Sequence, residues 1–343
     1  MLSIPAAFRR PAAQLVRSWA AVRRLKTKLP AVHLCPPPRS YIDGEDSKAK
    51  WFDVAHNGSP WDTARPYREE VIICTGSREW SANPLLENHG DTLFADIVAM
   101  MNNALRILGK RGPSLDPLSI VFNSSFSSSI TKKNRKPHTS ALFFPSFKDE
   151  TMKKRFAVEA LVERFLVNEM PVGRLTPIST ADKEVARIEE HKRFNNMLQD
   201  VKDVFVLVCG QGGNCSEVGP LLMKEFKIKL VQSGLDVRDD CFAPENDTPD
   251  MKDDGVIPVQ AARVGLMSHD GPRHMAGHVT IYIPPGMRLG RNGPPHPLAG
   301  LGVRYGMVSL KNVEGLVLET VVRGRVVMEK FRGGSCRGGT ADG

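Results

Sequence analysis

An apolar run ends in one cysteine, and a glycine-rich loop carries the chain to a second: Val204-Phe-Val-Leu-Val-Cys209-Gly-Gln-Gly-Gly-Asn-Cys215. Far downstream stand two histidines, in His274-Met-Ala-Gly-His278. Two thiolates and two imidazoles make a metal site, because thiolate suits zinc and iron-sulfur clusters and imidazole suits zinc, iron and copper. Cys209 closes a predicted strand. Cys215 lies just before a predicted helix, whose positive N-terminal end lowers the pKa of a nearby thiol. Gly210, Gly212 and Gly213 open the loop to conformations closed to other residues. His274 and His278, with Gly277 between them, reach the same point from a tight turn entering a strand.

Two metal chemistries fit these four ligands. A finger-type zinc site spaces its cysteines two to four apart and its histidines about a dozen residues further on. Here five residues separate the cysteines, and fifty-eight separate Cys215 from His274. The other candidate is a 2Fe-2S cluster, with two thiolates on one iron and two imidazoles on the other, the ligand set of Rieske centres. Neutral imidazoles bring the oxidised cluster to zero net charge, where four thiolates leave it at minus two. An electron is therefore added more easily, and the potential rises.

Three functions follow from the same residues. The first is a ferredoxin-like electron carrier or thiol-redox regulator. The second is an interaction protein whose loops are held by zinc. The third is a cluster-free thiol oxidoreductase with a Cys209–Cys215 disulfide, for which Cys241 or Cys336 offers a substitute partner. The chain has no nucleophile elbow, no phosphate-binding Gly-Lys-Ser loop and no pair of carboxylates tied to a pocket, so hydrolase and kinase readings lack support. His269, in Ser-His-Asp-Gly, reads as a turn residue, and His296, between prolines, as a surface residue. Cys74 has no local partner in the sequence.

The elements that position the four ligands read as α/β throughout. Glu70–Cys74 is a short buried-strand pattern, residues 91–108 repeat apolar positions at helical spacing, and 118–122 and 140–145 are further strands. A helix over 153–168 closes a first α/β domain, residues 43–170 with an irregular lead-in. Residues 171–184 form a Pro- and Ser/Thr-containing linker. The second domain, residues 185–334, opens with a charged helix over 183–201. It continues with strand 204–209, a helix that Ser216 is able to cap, strands 263–267 and 278–283, helix 309–322 and strand 326–331. Gly-rich residues after Arg332, the 335–343 tail among them, read as disordered. Each half runs strand, helix, strand, strand, helix, the pattern expected of a duplication.

Charge is concentrated at one end. The 343 residues carry a net charge of +9. Residues 1–42 hold eight Arg and Lys and no acid, which leaves +1 for the remainder. Basic residues spaced along Ala- and Leu-containing sequence describe a mitochondrial presequence. The import machinery is then a partner, and Cys35 lies near the end of the segment to be removed. No nucleic-acid partner is expected, because only Phe8 and Trp19 interleave the basic residues. No apolar stretch reaches the roughly 18 residues that span a bilayer. Six cysteines in a chain with an organelle address point to metal or thiol redox chemistry rather than to a secreted disulfide framework.

At these residues the chain resembles the sucrase/ferredoxin-like family of thioredoxin-like ferredoxins, whose pattern is Cys-x8-Cys followed by His-x-Gly-Gly-His. Cys74-Thr-Gly-Ser-Arg-Glu-Trp80, Cys209-Gly-Gln-Gly-Gly, Gly219-Pro-Leu-Leu222 and Arg323-Gly-Arg-Val-Val-Met-Glu-Lys-Phe-Arg-Gly-Gly334 are similar to family segments. The resemblance implies a thioredoxin-like C-terminal domain holding a 2Fe-2S cluster, with Cys209 and Cys215 on one iron and His274 and His278 on the other. It also implies electron exchange with redox partner proteins. Two positions depart from the pattern: the cysteine spacing is five, and Ala276 replaces the first motif glycine.

Overall fold

The computed structural model describes residues 29–38, 69–86, 92–107, 121–127, 139–152, 158, 161–162, 198–240, 261–268, 276–290 and 293–336. The linker at 171–184 and most of the helices expected at 153–168 and 183–201 lie outside the described residues.

After β1 (Ala31–Val32), a first unit opens with β2 (Glu70–Cys74), every residue of which is buried. Helix α1 (Leu93–Ile107) carries the chain to β3 (Val121–Ser124), which runs parallel to β2. A tight hairpin joins only antiparallel strands, so a crossover is required here. On the other side of β2 lies antiparallel β4 (Thr139–Phe144), followed by antiparallel β5 (Lys148–Met152). β6 (Gln199–Asp200) extends this end of the sheet, where a helix over 183–201 was expected to finish.

The second unit repeats the scheme. β7 (Val204–Cys209) leads into helix α2 (Cys215–Gln232). Past β8 (Val237–Arg238), β9 (Ala262–Met267) runs parallel to β7. β10 (Val279–Ile283) is antiparallel to β7, and β11 (Leu301–Tyr305) is antiparallel to β10. The chain continues into α3 (Leu310–Leu316) and π-helical turns over Val317–Val322, then β12 (Val326–Val327) and β13 (Phe331–Cys336). The two strand orders, β3-β2-β4-β5 and β9-β7-β10-β11, meet where β3 touches β9 at Ser124 and Met267. Among the described residues, eleven strands thus form one mixed α/β sheet.

Helices cover the outer faces of this curled sheet, and its inner faces close on each other. Val71 and Ile73 pack with Phe94, Ile97 and Met101 of α1, whereas Val204, Val206 and Val208 pack with Leu222 and Phe226 of α2. The alternate residues, Ile72, Phe205 and Leu207, point into a third core between the units. There the rings of Phe144 and Tyr282 stack at 3.8 Å, and Phe126 meets Phe205 edge-on at 5.4 Å. A buried ion pair, Arg304 Nη2 to Glu70 Oε2 at 2.5 Å, ties β11 to β2 across the same space.

Several expectations are corrected. The Gly-rich end is not a tail at its start: β13 pairs with β11 as far as Cys336 opposite Leu301. β5 and β11, the fourth strand of each unit, were absent from the sequence reading. Ser216 does not cap α2; the helix begins one residue earlier, and the Ser216 hydroxyl donates to Gly213 O at 2.8 Å. The α3 start is closed by Ser309 N–H donating to Asn312 Oδ1 at 3.0 Å and Asn312 N–H donating to Ser309 O at 3.0 Å.

His296 is buried rather than exposed. Its Nδ1 accepts from Leu298 N–H at 3.2 Å, which leaves Nε2 to donate to Val321 O at 3.0 Å. Burial lowers its pKa from the ordinary 6.5. The folded chain therefore binds this proton less readily than the unfolded chain. Stability is unaffected well above pH 6.5 and falls as the pH drops from there through the lowered value. Denaturant midpoints between pH 7.5 and 5.5 are expected to fall less steeply in His296→Gln than in the parent chain.

Candidate metal centre

Cys209 is the last residue of β7, and the β7–β10 register places His278 directly opposite it: Val208 faces Val279, and Cys209 N–H donates to His278 O at 2.9 Å. Residues directly opposite in an antiparallel pair have Cβ atoms about 4.5–5.5 Å apart. A ligand from each sequence motif is thus fixed at neighbouring backbone positions. Both residues are buried, each 1% exposed.

The loop after Cys209 turns through Gly212 and Gly213, at φ 85° and 49°, and Cys215 N–H donates back to Gly212 O at 3.1 Å. Cys215, also 1% exposed, is the first residue of α2. In the first helical turn the backbone N–H groups lack intrahelical partners, so the positive end of α2 lies at Cys215. Helix and strand end are held together at Gly219, where a Cβ would stand 2.4 Å from Cys209 O. The Cys209 thiol itself donates to Gln211 O at 3.6 Å.

His278 follows a turn that explains one departure from the motif. Gly277 has φ 66°, and a Cβ on it would meet Val308 O at 2.3 Å, so glycine is required there. Ala276 is buried in the α2-side core, and its carbonyl accepts from Met307 N–H at 3.0 Å. Its φ is not positive. A methyl at 276 is therefore accommodated without strain.

The loop after β2 closes over this end of the second unit. Gln211 Nε2 donates to Trp80 O at 3.0 Å and to Ser81 O at 2.8 Å. Trp80 belongs to the same buried cluster as Cys209, Cys215 and Ala276, and its indole N–H donates to Thr75 Oγ1 at 3.0 Å. The link between Trp80 and Gln211 spans 131 positions, and no local pattern in the sequence signals it. Cys74 ends β2 as Cys209 ends β7, but it faces Ser140 on β4 where Cys209 faces histidine. The site is therefore not duplicated at that position.

His274, His269 and Cys241 lie outside the described residues. Among the described residues, no three His, Cys, Asp or Glu side chains gather as they would around one metal ion. A two-iron cluster asks for two pairs of ligands rather than a trio on one ion. Cys209, Cys215 and His278 suit that group in donor type and in burial, and the backbone pairing of Cys209 with His278 sets one ligand of each type side by side. Cys35 is a different case: burial pushes its thiol up to about 11, so it stays protonated at neutral pH.

The family model described as sucrase/ferredoxin-like matches residues 60–333. Among curated proteins, altered inheritance of mitochondria protein 32 of Meyerozyma guilliermondii is 27% identical over 176 residues, covering 50% of this chain and 49% of that protein. The protein of the same name from Debaryomyces hansenii is 27% identical over 169 residues, 48% of each chain. That of Clavispora lusitaniae is 30% identical over 131 residues, 37% of this chain and 34% of the relative. The chain spans about half the length, or less, of the curated relatives it matches. No solved structure matches. No helix among the described residues is long and apolar enough to cross a membrane.

Proposed function

The chain belongs to the sucrase/ferredoxin-like family, and from that premise we propose that it is a mitochondrial 2Fe-2S protein acting in electron transfer or thiol-redox regulation. Cys209 and Cys215 would hold one iron, and His274 and His278 the other. The observation that carries this reading is the buried pairing of Cys209 with His278 across β7 and β10, with Cys215 opening the adjacent helix. When bound, such a cluster supplies one-electron transfer at a higher potential than an all-cysteine cluster, with imidazole N–H groups that couple reduction to protons.

The chain's own residues set the conditions for that chemistry. The start of α2 favours negative charge on Cys215 sulfur, and burial keeps bulk water from both cysteines. The β7–β10 ladder fixes His278 relative to Cys209, and the Gln211 amide anchors the intervening loop to the first unit. The strand order β9-β7-β10-β11, with α2 crossing between the parallel pair, supports reading the second unit as thioredoxin-like. The mitochondrial assignment rests on the acid-free basic segment at the N-terminus and on relatives named for mitochondrial inheritance.

The test is visible absorption with iron and acid-labile sulfide content of the anaerobically purified chain, with Cys209→Ser and His274→Cys alongside. A brown protein with equal iron and sulfide is expected. Cys209→Ser should bleach it, and His274→Cys should change the spectrum and lower the potential. A colourless protein carrying one zinc would overturn this reading in favour of the zinc-held interaction protein. A metal-free protein with an oxidant-dependent Cys209–Cys215 bridge would favour the thiol oxidoreductase.

A further inference from the structure

Residues 29–38 belong to the segment whose composition reads as an import signal, yet they are built into the second unit. β1 pairs in parallel with β12, Ala31 opposite Val326 and Val32 opposite Val327, and among the described residues it is the strand partner of β12. Around it, Val326 N–H donates to Pro30 O at 2.8 Å and Glu329 N–H to His33 O at 2.9 Å. The Cys35 N–H donates to Glu329 Oε2 at 2.9 Å, and the Cys35 thiol to Asn312 O at 3.4 Å. Leu29, Val32 and Cys35 pack against the core that contains Cys209 and Cys215.

The receiving surface is shaped for this strap. Gly315 lies inside α3, where glycine costs helix stability relative to alanine. A Cβ there would stand 2.6 Å from Cys35 Sγ and 2.8 Å from Pro36 O. The nearest obstacles to a side chain at 315 are thus strap atoms, one of them backbone. Removing residues 29–38 would leave the N–H groups of Val326 and Glu329 without these acceptors and uncover part of the core.

We infer that processing of the imported chain falls ahead of Leu29, so that residues 29–38 remain in the mature protein as a strap across α3 and β12, and the removable signal is shorter than the 1–42 segment its composition outlines. The inference rests on the mitochondrial reading for the cut, but not for the strap. Residues 1–28 still hold seven of the eight basic residues of that segment, which is what an import signal requires. The strap itself, from Leu29 to Pro38, contains no Lys or Arg.

Two measurements test it. In the purified full chain, Gly315→Ala is expected to lower the melting temperature by about 3 °C or more. A helix glycine with nothing against it would instead gain stability on becoming alanine, so an unchanged or raised melting temperature overturns the strap. The full chain is then imported into isolated mitochondria, and the N-terminus of the product is read by mass spectrometry. A new N-terminus at or before Leu29 is expected. One between Pro30 and Asp43 overturns the inferred cut. A chain that enters uncut overturns the cut alone, and one that is not imported overturns the cut and the import reading together, while the Gly315→Ala result still decides the strap.

Discussion

Arg304→Met is expected to destabilise the chain by about 3–5 kcal/mol, because it leaves the Glu70 carboxylate buried without its counter-charge. The side chains of Arg304 and Glu70 are 3% and 0% exposed, and they come from strands separated in the sheet order by β10, β7, β9 and β3. They meet only because the sheet curls until β4 and β10 touch through Phe144 and Tyr282. The pair as a unit is a different matter, since two charges withdrawn from water repay little of their desolvation. Glu70→Leu combined with Arg304→Met is therefore expected to recover most of the loss. Urea midpoints of the two single variants and the double variant form the required cycle. A single-variant cost below about 1 kcal/mol would mean that the pair is solvated in solution.

Trp80→Ala is the second large effect, with an expected cost of about 3–5 kcal/mol for truncating a buried tryptophan. Its importance is positional. Trp80 comes from the first unit but fills the core of the second, beside the loop that carries Cys209 and Cys215. The variant should consequently raise the alkylation rate of these two thiols at least tenfold under native conditions, with Cys74 as internal comparison. Gln211→Ala removes the two amide bonds to Trp80 O and Ser81 O while leaving the tryptophan in place. It should raise the same rates at a smaller cost in stability. Unchanged labelling in both variants would separate the Trp80 contact from protection of the cysteines.

Strands Glu70–Cys74 and Val204–Cys209 were legible to the residue because a helix covers one face and the opposite sheet the other. Such strands read as unbroken apolar runs. Residue type singled out Cys209, Cys215, His274 and His278 as candidates, and the apolar run before Cys209 placed it at a strand end, where the register sets it opposite His278. What the sequence concealed depends on distant partners. β5, Lys-Asp-Glu-Thr-Met, is too charged to read as a strand and forms by pairing with β4. β11 carries Arg304, whose burial makes sense only with a glutamate 234 positions away. His296 between prolines looks like loop chemistry until Val321 O and Leu298 N–H are seen to enclose it. The covalent neighbours of these residues carry no trace of the contacts that decide them.

The crossing of Glu70 and Arg304 between units has a hereditary consequence. Were the units once equivalent copies, each would have had to be stable with its own side chains alone. Now the charge on the first strand of one is tolerable only while the fourth strand of the other supplies its opposite. Neither position can drift by itself, and a recombination event that exchanged one unit for that of a diverged relative would inherit half of an ion pair. The two halves are therefore expected to descend as a single block, with changes at 70 and 304 arising together or not at all.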